Sequence, residues 1–482
     1  MTEEQKVRVR FAPSPTGHLH IGGLRTALFN FLFARHTKGT FLIRIEDTDR
    51  ERSKQEYVES QLASLTWAGI TSDEPLVYQS ERDEIYKKVL DDLFARHKIY
   101  RCTCIPEEVE LRVRTSGSSD QFYKYDGHCK SDAMQDVIKT GNKPFVIRFS
   151  LPATTSDNAL IKINDLIYGE LVFEMNQLDD FIIVRSDGTP MYNFVVIVDD
   201  QLMAITHVIR GADHISNTPK QVLLYQACGY TPPRFGHIPV IINADGTKMS
   251  KRDGAVDVLN YKAQGYVADA FINYIVRLGW AHGDQEIFTR QELIDSFTLE
   301  AIGKKAAVFD SQKLQWLNGV YMRAMDAKTL RTMLLPEVDA SVATRYAAWS
   351  VDQFDAAIEL YKERVKTGHE LIQSLDLLYK GPVCYKEDEY KEWITQDAIT
   401  FLGLVAQTLQ NLVDFSGNEI SGALKALCKE HDIKLVTVAQ PLRIALLGCT
   451  SSPGVFDLVA FLGKTETVQR IEKLQQYAQS HQ

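Results

Sequence analysis

Pro13-Ser14-Pro15-Thr16-Gly17-His18-Leu19-His20-Ile21-Gly22-Gly23 is the stretch on which the fold turns. It follows a strand-like run over residues 7–12 and opens onto a helix-like run over 24–36. A glycine-rich strand-to-helix turn lets backbone N–H groups approach a phosphate closely, and the helix N-terminus favours negative charge there. His18 and His20 add side-chain donors at the same place. Residues 40–45 form the next strand-like run, and helical spacing continues through Leu65 and Phe94. Strand and helix in that alternation predict a parallel, doubly wound α/β sheet, with ligands bound at the carboxyl ends of its strands.

The alternation breaks near Arg101. Residues 101–185 are richer in Gly, Ser and charge, with short β-like pieces such as 144–148. Strand-like runs resume at 194–198 and 207–210, followed by a helix over 218–227 with Asn217 or Thr218 as cap and Pro219 in its first turn. The sheet is therefore expected to be split by an inserted module. A second short segment, Lys248-Met249-Ser250-Lys251-Arg252, sits in a loop after an apolar strand over 238–242. Its cations can close over a triphosphate and neutralise a departing pyrophosphate. Beyond about Asn318, residues 353–378, 399–415 and 465–478 carry helical apolar spacing, and 451–454 reads as a turn between helices.

A chain of 482 residues suggests roughly three domains. Its 45% hydrophobic and 24% charged residues exclude a disordered chain. No run reaches membrane-spanning length, and the acidic start lacks the features of a signal peptide, so a cytoplasmic address is expected. The net charge of −9 does not suggest nucleic acid, which requires local basic faces. The candidates are residues 101–114, 248–252 and Lys304-Lys305, each of which alone reads as solvated surface.

Together the two signature segments resemble the HIGH and KMSKS motifs of class I aminoacyl-tRNA synthetases. Residues 10–14, 41–49, 188–194 and 199–210 resemble those of bacterial-type glutamyl-tRNA synthetases. The resemblance implies a class I synthetase Rossmann-type parallel sheet, split by an inserted α/β acceptor-binding module and followed by an all-α anticodon-binding region. The boundaries it suggests are 1–100 and 186–252 for the catalytic halves, 101–185 for the insertion, 253–318 for a stem-contact region and 319–482 for the helical region. It implies attack of glutamate on the α-phosphorus of ATP with Mg²⁺, then transfer to the 2′-hydroxyl of the terminal adenosine of tRNA-Glu. His20, Lys248 and Lys251 are the implied catalytic residues, Lys251 the stronger of the two lysines. His18, Gly22, Gly23 and Ser250 join them in binding ATP. Arg10, Ala12 and Ser14 are implied glutamate contacts, Glu46 holds its ammonium group, and Tyr192 and Arg210 recognise its side chain. A guanidinium fork reads a carboxylate bidentately. Glutamine would leave a desolvated arginine unpaired, which can cost factors of roughly 10⁴. The alternative for Arg10 and Arg210 is pairing with Glu46, Asp47 or Asp200 across strand ends.

Cys102-Thr-Cys104 and Tyr125-Asp-Gly-His128-Cys129 supply three thiols for a tetrahedral structural zinc, which some glutamyl enzymes carry and others lack. Ser131 stands where some members place a histidine ligand, so Tyr125, His128 or water fills the fourth position. The competing view is three reduced thiols without metal. Cys228, Cys384, Cys428 and Cys449 read as core. Residues 439–448, 453–457 and 462–464 resemble the C-terminal signature of the helical anticodon region, unlike the β-barrels of glutaminyl enzymes. Arg443 is there a phosphate or base contact, or a cap near Asp457. Three alternatives accompany the glutamyl assignment: an enzyme that also glutamylates tRNA-Gln, a tRNA-independent nucleotidyltransferase, and a silent RNA-binding relative. The resemblance implies a monomer.

Overall fold

The strand β1 (Arg8–Phe11), the helix α1 (Ile21–His36) and the strand β2 (Thr40–Ile45) form one parallel crossover, with Arg8 opposite Thr40 and Phe11 opposite Ile43. The computed structural model describes residues 6–115, 124–156, 158–247 and 257–480. It divides into two units, Met1–Leu259 with Ile272–Asp310, and Asn260–Phe271 with Ser311–Gln482. All six residues of β2 are buried, as expected for a parallel strand covered on both faces. Helix α2 (Gln55–Trp67) follows, and β3 (Val77–Tyr78) extends the parallel ladder beside β2 before α3 (Asp83–Ala95).

The expected insertion then changes the sheet type. Strand β4 (Ile99–Cys102), helices α4 (Pro106–Thr115) and α5 (Asp132–Thr140), and strands β5 (Val146–Phe149), β6 (Leu160–Asp165), β7 (Gly169–Glu174) and β8 (Ile182–Val184) come next. They make an antiparallel β4-β5-β8 sheet and a β6-β7 hairpin. Parallel pairing returns after helix α6 (Tyr192–Leu202): β9 (His207–Gly211) pairs with β10 (Arg234–Ile238) across α7 (Thr218–Cys228). The Thr206 amide donates to Arg8 O at 3.0 Å, setting β9 alongside β1.

Two expected strands differ. Residues 194–198 lie inside α6, where the whole run from Phe194 to Asp200 is buried. Five consecutive apolar residues suit a fully buried helix as well as a buried strand, so periodicity does not separate them. The run 238–242 is interrupted at Pro239, and β11 (Ile241–Ile242) pairs with β12 (Ala307–Val308) instead. Helix α7 begins after Asn217, whose side chain makes no capping bond.

One carboxylate ties α6 to α3 and the turn just before it. Asp199 accepts from Gln79 Nε2 at 2.8 Å, Arg82 Nε at 2.7 Å and Tyr86 OH at 2.9 Å. Asp199→Ala leaves these donors and a cation without their anion. We expect it to destabilise the protein by about 3 kcal/mol, measured as a lowered urea midpoint.

The second unit is helical. It includes Val351–Lys362, Gly368–Lys380, Gln396–Asn411, Gly417–Glu430, Leu435–Leu447 and Val455–Ser480 around a core with Leu375, Leu402, Leu442, Leu458 and Leu474. The 353–378 run is two helices, because Thr367 caps the second by accepting from the Glu370 amide. Val455–Ser480 breaks at Gly463, whose φ of 76° is a left-handed conformation that favours glycine. Cys428 and Cys449 are buried and Cys228 is half-buried, but Cys384 is exposed, contrary to the core assignment. Its apolar neighbour Val383 is also exposed, at a loop. Arg443 donates to Ser452 Oγ at 2.9 Å and Gln440 Oε1 at 3.2 Å, and these rather than Asp457 are its partners.

Candidate active site

His20 is the N-cap of α1, and its Nδ1 accepts the Gly23 amide at 3.1 Å. With that lone pair engaged, the neutral ring carries its proton on Nε2. A Cβ at Gly22 would lie 3.1 Å from the same Nδ1, and one at Gly23 would lie 2.8 Å from Leu19 Cδ1. A side chain at Gly22 would therefore crowd the His20 ring, whereas at Gly23 it would meet only the end of the flexible Leu19 side chain. His18 is placed differently: its Nδ1 lies 2.8 Å from Ser60 Oγ and 3.4 Å from the Asp257 carboxylate, with its ring edge-on to Tyr57. It ties the turn to α2, while His20 shapes the helix start.

The turn walls a cleft of about 850 Å³, open at the carboxyl ends of β1, β2, β9 and β10. That is the location a parallel α/β sheet favours, and the volume lies in the range of about 300–1,000 Å³ common for small-molecule sites. The structure brings Arg10, Ala12, Ser14, His18, His20, Gly22, Gly23, Glu46, Tyr192 and Arg210 together on its wall. Lys248, Ser250 and Lys251 lie outside the described residues.

Charges beneath the cleft are arranged unevenly. Asp200 accepts from Arg10 Nε at 3.0 Å and from Arg44 Nη1 at 2.7 Å, and Arg44 Nη2 reaches Glu46 Oε1 at 3.1 Å. Arg10, Arg44 and Arg82 thus face Glu46, Asp199 and Asp200, one cation for each anion. Burial pushes the Asp200 carboxyl up, but Arg10 and Arg44 outweigh it and hold the pKa below the usual carboxylate range. At Glu46 burial wins over Arg44 and Arg10, and the pKa is raised. Arg10 therefore adopts the alternative pairing, with Asp200, while still lining the cleft.

Arg210 is different. Its Nη1 donates to Tyr192 OH at 3.3 Å, its Nη2 to Thr218 Oγ1 at 2.9 Å, and its Nε to His237 Nε2 at 3.2 Å. These partners are uncharged, and burial lowers its pKa. Beside it, burial and then the guanidinium push His214 down to about 4, so that ring is neutral, with its Nδ1 3.1 Å from Tyr192 OH. Among the described residues two buried cations of the cleft thus have no carboxylate against them: Arg210, held by neutral side chains, and Arg25, held by the backbone carbonyls of Leu278 and Pro239. Sequence reasoning did not single out Arg44, His214 or His237, and read Thr218 only as a helix cap. Arg44 carries a readable signal, an arginine among the apolar residues Phe41, Leu42, Ile43 and Ile45 of its strand.

The family described as "tRNA synthetases class I (E and Q), catalytic domain" matches residues 6–316. The chain belongs to this family. A second family, "Anticodon binding domain", matches residues 327–475. The glutamate–tRNA ligase of Geobacter sulfurreducens is 43% identical over 471 residues, 98% of this chain and 99% of that protein. That of Thermodesulfovibrio yellowstonii is 42% identical, over 97% of this chain and 99% of its own length. Among solved structures, a glutamate tRNA ligase from Elizabethkingia meningosepticum, in complex with its amino acid, superposes with a TM-score of 0.86 at 32% identity, covering 98% of this chain and 99% of its own. The fold expected for a class I synthetase, a parallel-sheet catalytic part followed by a helical anticodon part, is the one observed.

In this class I synthetase the cysteine cluster lies in the insertion, away from the cleft. The Sγ atoms of Cys102, Cys104 and Cys129 lie within 4.8 Å of one another. Cys104 Sγ is 3.4 Å from Cys129 Sγ, and Tyr125 OH is 3.3 Å from Cys102 Sγ and 3.9 Å from Cys104 Sγ. A tetrahedral zinc with Zn–S bonds of about 2.3 Å has ligand–ligand edges of about 3.8 Å, so this donor set fits. The Tyr125 phenol lies at the cluster, whereas His128 is exposed. The Arg148 guanidinium lies 3.8 Å from the Tyr125 ring centroid, while burial and the hydrogen bond with the Cys102 thiol hold the phenol pKa well above its usual value. Ser131 instead caps α5, its Oγ accepting from Met134 N.

Proposed function

We propose that the chain ligates L-glutamate to tRNA-Glu. The α-carboxylate of glutamate attacks the α-phosphorus of ATP, and the glutamyl-adenylate then passes its acyl group to a terminal ribose hydroxyl, with pyrophosphate and AMP released. The observation that carries this reading is Arg210, a buried guanidinium held only by uncharged partners beside an otherwise charge-balanced network. Its charge is left for the side-chain carboxylate of the substrate, and the full-length likeness to glutamate–tRNA ligases supports it.

The remaining roles follow the cleft. Tyr192 supports Arg210, Glu46 takes the ammonium group, and Arg10, Ala12 and Ser14 frame the amino acid. His20, Gly22 and Gly23 present donors and close backbone approach to the phosphates, with His18 alongside. Lys248 and Lys251 supply charge to the departing pyrophosphate and Ser250 a hydroxyl that binds ATP, roles resting on motif resemblance. Catalysis on this reading is positioning plus charge stabilisation. Mg²⁺ carried on the triphosphate adds further neutralisation. Residues 1–100 and 186–252 serve the catalytic fold, 101–185 the acceptor end, 253–318 the stem and 319–482 the anticodon. A cytoplasmic monomer is supported by the family resemblance.

Glutamate-dependent and tRNA-dependent formation of AMP and pyrophosphate from labelled ATP tests the reaction. AMP formed without any tRNA acylation would instead favour a small-molecule nucleotidyltransferase. Cys102, Cys104, Tyr125 and Cys129 would hold a structural zinc, which fixes the segments around β4 and α5 when bound. Elemental analysis is expected to give one zinc per chain, with weaker retention in Tyr125→Phe. Purified protein without zinc would remove this part of the reading.

A further inference from the structure

Asp165 ends β6 and His237 lies on β10; both are buried, 3% and 0% exposed, and the mechanism above uses neither. His237 Nδ1 lies 2.6 Å from Asp165 Oδ2. Asp165 Oδ1 accepts the amides of Ile167 at 2.9 Å and Tyr168 at 2.8 Å, so the hairpin turn holds the carboxylate in place. On the other side of the ring, His237 Nε2 lies 3.2 Å from Arg210 Nε and 3.1 Å from Thr218 Oγ1. A guanidinium only donates, so Nε2 must present a lone pair to Arg210. The single ring proton then sits on Nδ1 and points at Asp165, which fixes the tautomer. Strand pairing sets His237 directly opposite Arg210.

We propose that Asp165 and His237 are positioning residues for amino-acid selection: they hold the Arg210 Nε–H on a neutral acceptor, orienting the guanidinium while leaving its charge for the substrate carboxylate. The inference rests on Arg210 reading the side chain of glutamate. A carboxylate at position 237 would orient the guanidinium too, but as an ion pair that competes with the substrate. That is how Arg10 and Arg44 are held, by Asp200. An imidazole whose tautomer is set from behind does the one without the other.

The test is steady-state acylation of tRNA-Glu by the full chain, with KM measured separately for glutamate and ATP. His237→Phe keeps an aromatic ring and removes the acceptor. It should raise the glutamate KM about 30-fold and leave the ATP KM within about twofold. His237→Gln offers an amide oxygen near the Nε2 position and should recover most of the loss. Asp165→Asn can donate to Nδ1 and permit the other tautomer, so it should raise the glutamate KM with little change for ATP. A fall in kcat or in folded yield at unchanged glutamate KM, with no rescue by His237→Gln, would overturn the inference. If His237→Phe does not fold, Asp165→Asn and His237→Gln decide it on the same criterion. Arg210→Gln is measured in parallel. An unchanged glutamate KM in that variant removes the parent reading, whereas a raised one beside a silent His237→Phe removes the positioning role alone.

Discussion

Arg210→Gln is expected to lower kcat/KM for glutamate by roughly 10³-fold while the KM for ATP stays within about a factor of two. The size follows from what the guanidinium supplies. Two charge-assisted hydrogen bonds to a desolvated carboxylate are worth about 1.5–3 kcal/mol each, and about 4 kcal/mol corresponds to roughly 10³-fold in rate. Glutamine at 210 can still donate to Tyr192 or Thr218, so the strand end keeps part of its internal bonding. What it cannot supply is the charge, and the other buried arginines of the described site are already engaged: Arg10 and Arg44 by Asp200, and Arg25 by the carbonyls of Leu278 and Pro239. Equal losses for glutamate and ATP would make Arg210 a structural residue of β9 and withdraw it from substrate recognition.

At His20 two substitutions should part company. His20→Ala removes both the cap of α1 and the Nε2 donor, so it is expected to cost about 1 kcal/mol of stability as well as activity. Asparagine is among the best N-cap residues, so His20→Asn should keep thermal stability close to that of the unaltered chain. Its short amide does not reach where Nε2–H points. Adenylate formation should therefore still fall about 10²–10³-fold, the usual loss for a donor that stabilises developing negative charge. Adenylate formation restored by His20→Asn would mean that the ring serves only to cap the helix.

What is legible in the chain follows from the range of the interactions. The start of α1 is local: His20, Gly22 and Gly23 meet within four residues, and their spacing is enough to read a phosphate turn. The cysteine cluster is legible for the same reason, as two short pieces with ligand spacing. Choosing Tyr125 over His128 takes geometry, because only the fold shows which side chain turns inward. The charge network is partly hidden. Arg10 and Arg44 meet an aspartate 190 and 156 residues away, and which arginine is neutralised depends on strand and helix placement. His237 and Asp165 are 72 residues apart and carry no motif. The strand expected at 194–198 is a helix because burial on all sides erases the periodicity that distinguishes the two. Arg210, by contrast, is found by resemblance, and the reason it suits a carboxylate emerges only from its neutral neighbours.

The measurement that bears most directly on the account is acylation of purified tRNA-Glu by the full chain with labelled glutamate and labelled glutamine in parallel, with tRNA-Gln as a second acceptor. The expected product is glutamyl-tRNA-Glu that needs ATP, with glutamine used at least about 10⁴-fold less efficiently. Glutamate charged onto tRNA-Gln as well would keep the amino-acid pocket and broaden the acceptor. Failure to charge tRNA-Glu with glutamate, or comparable use of glutamine, would contradict it.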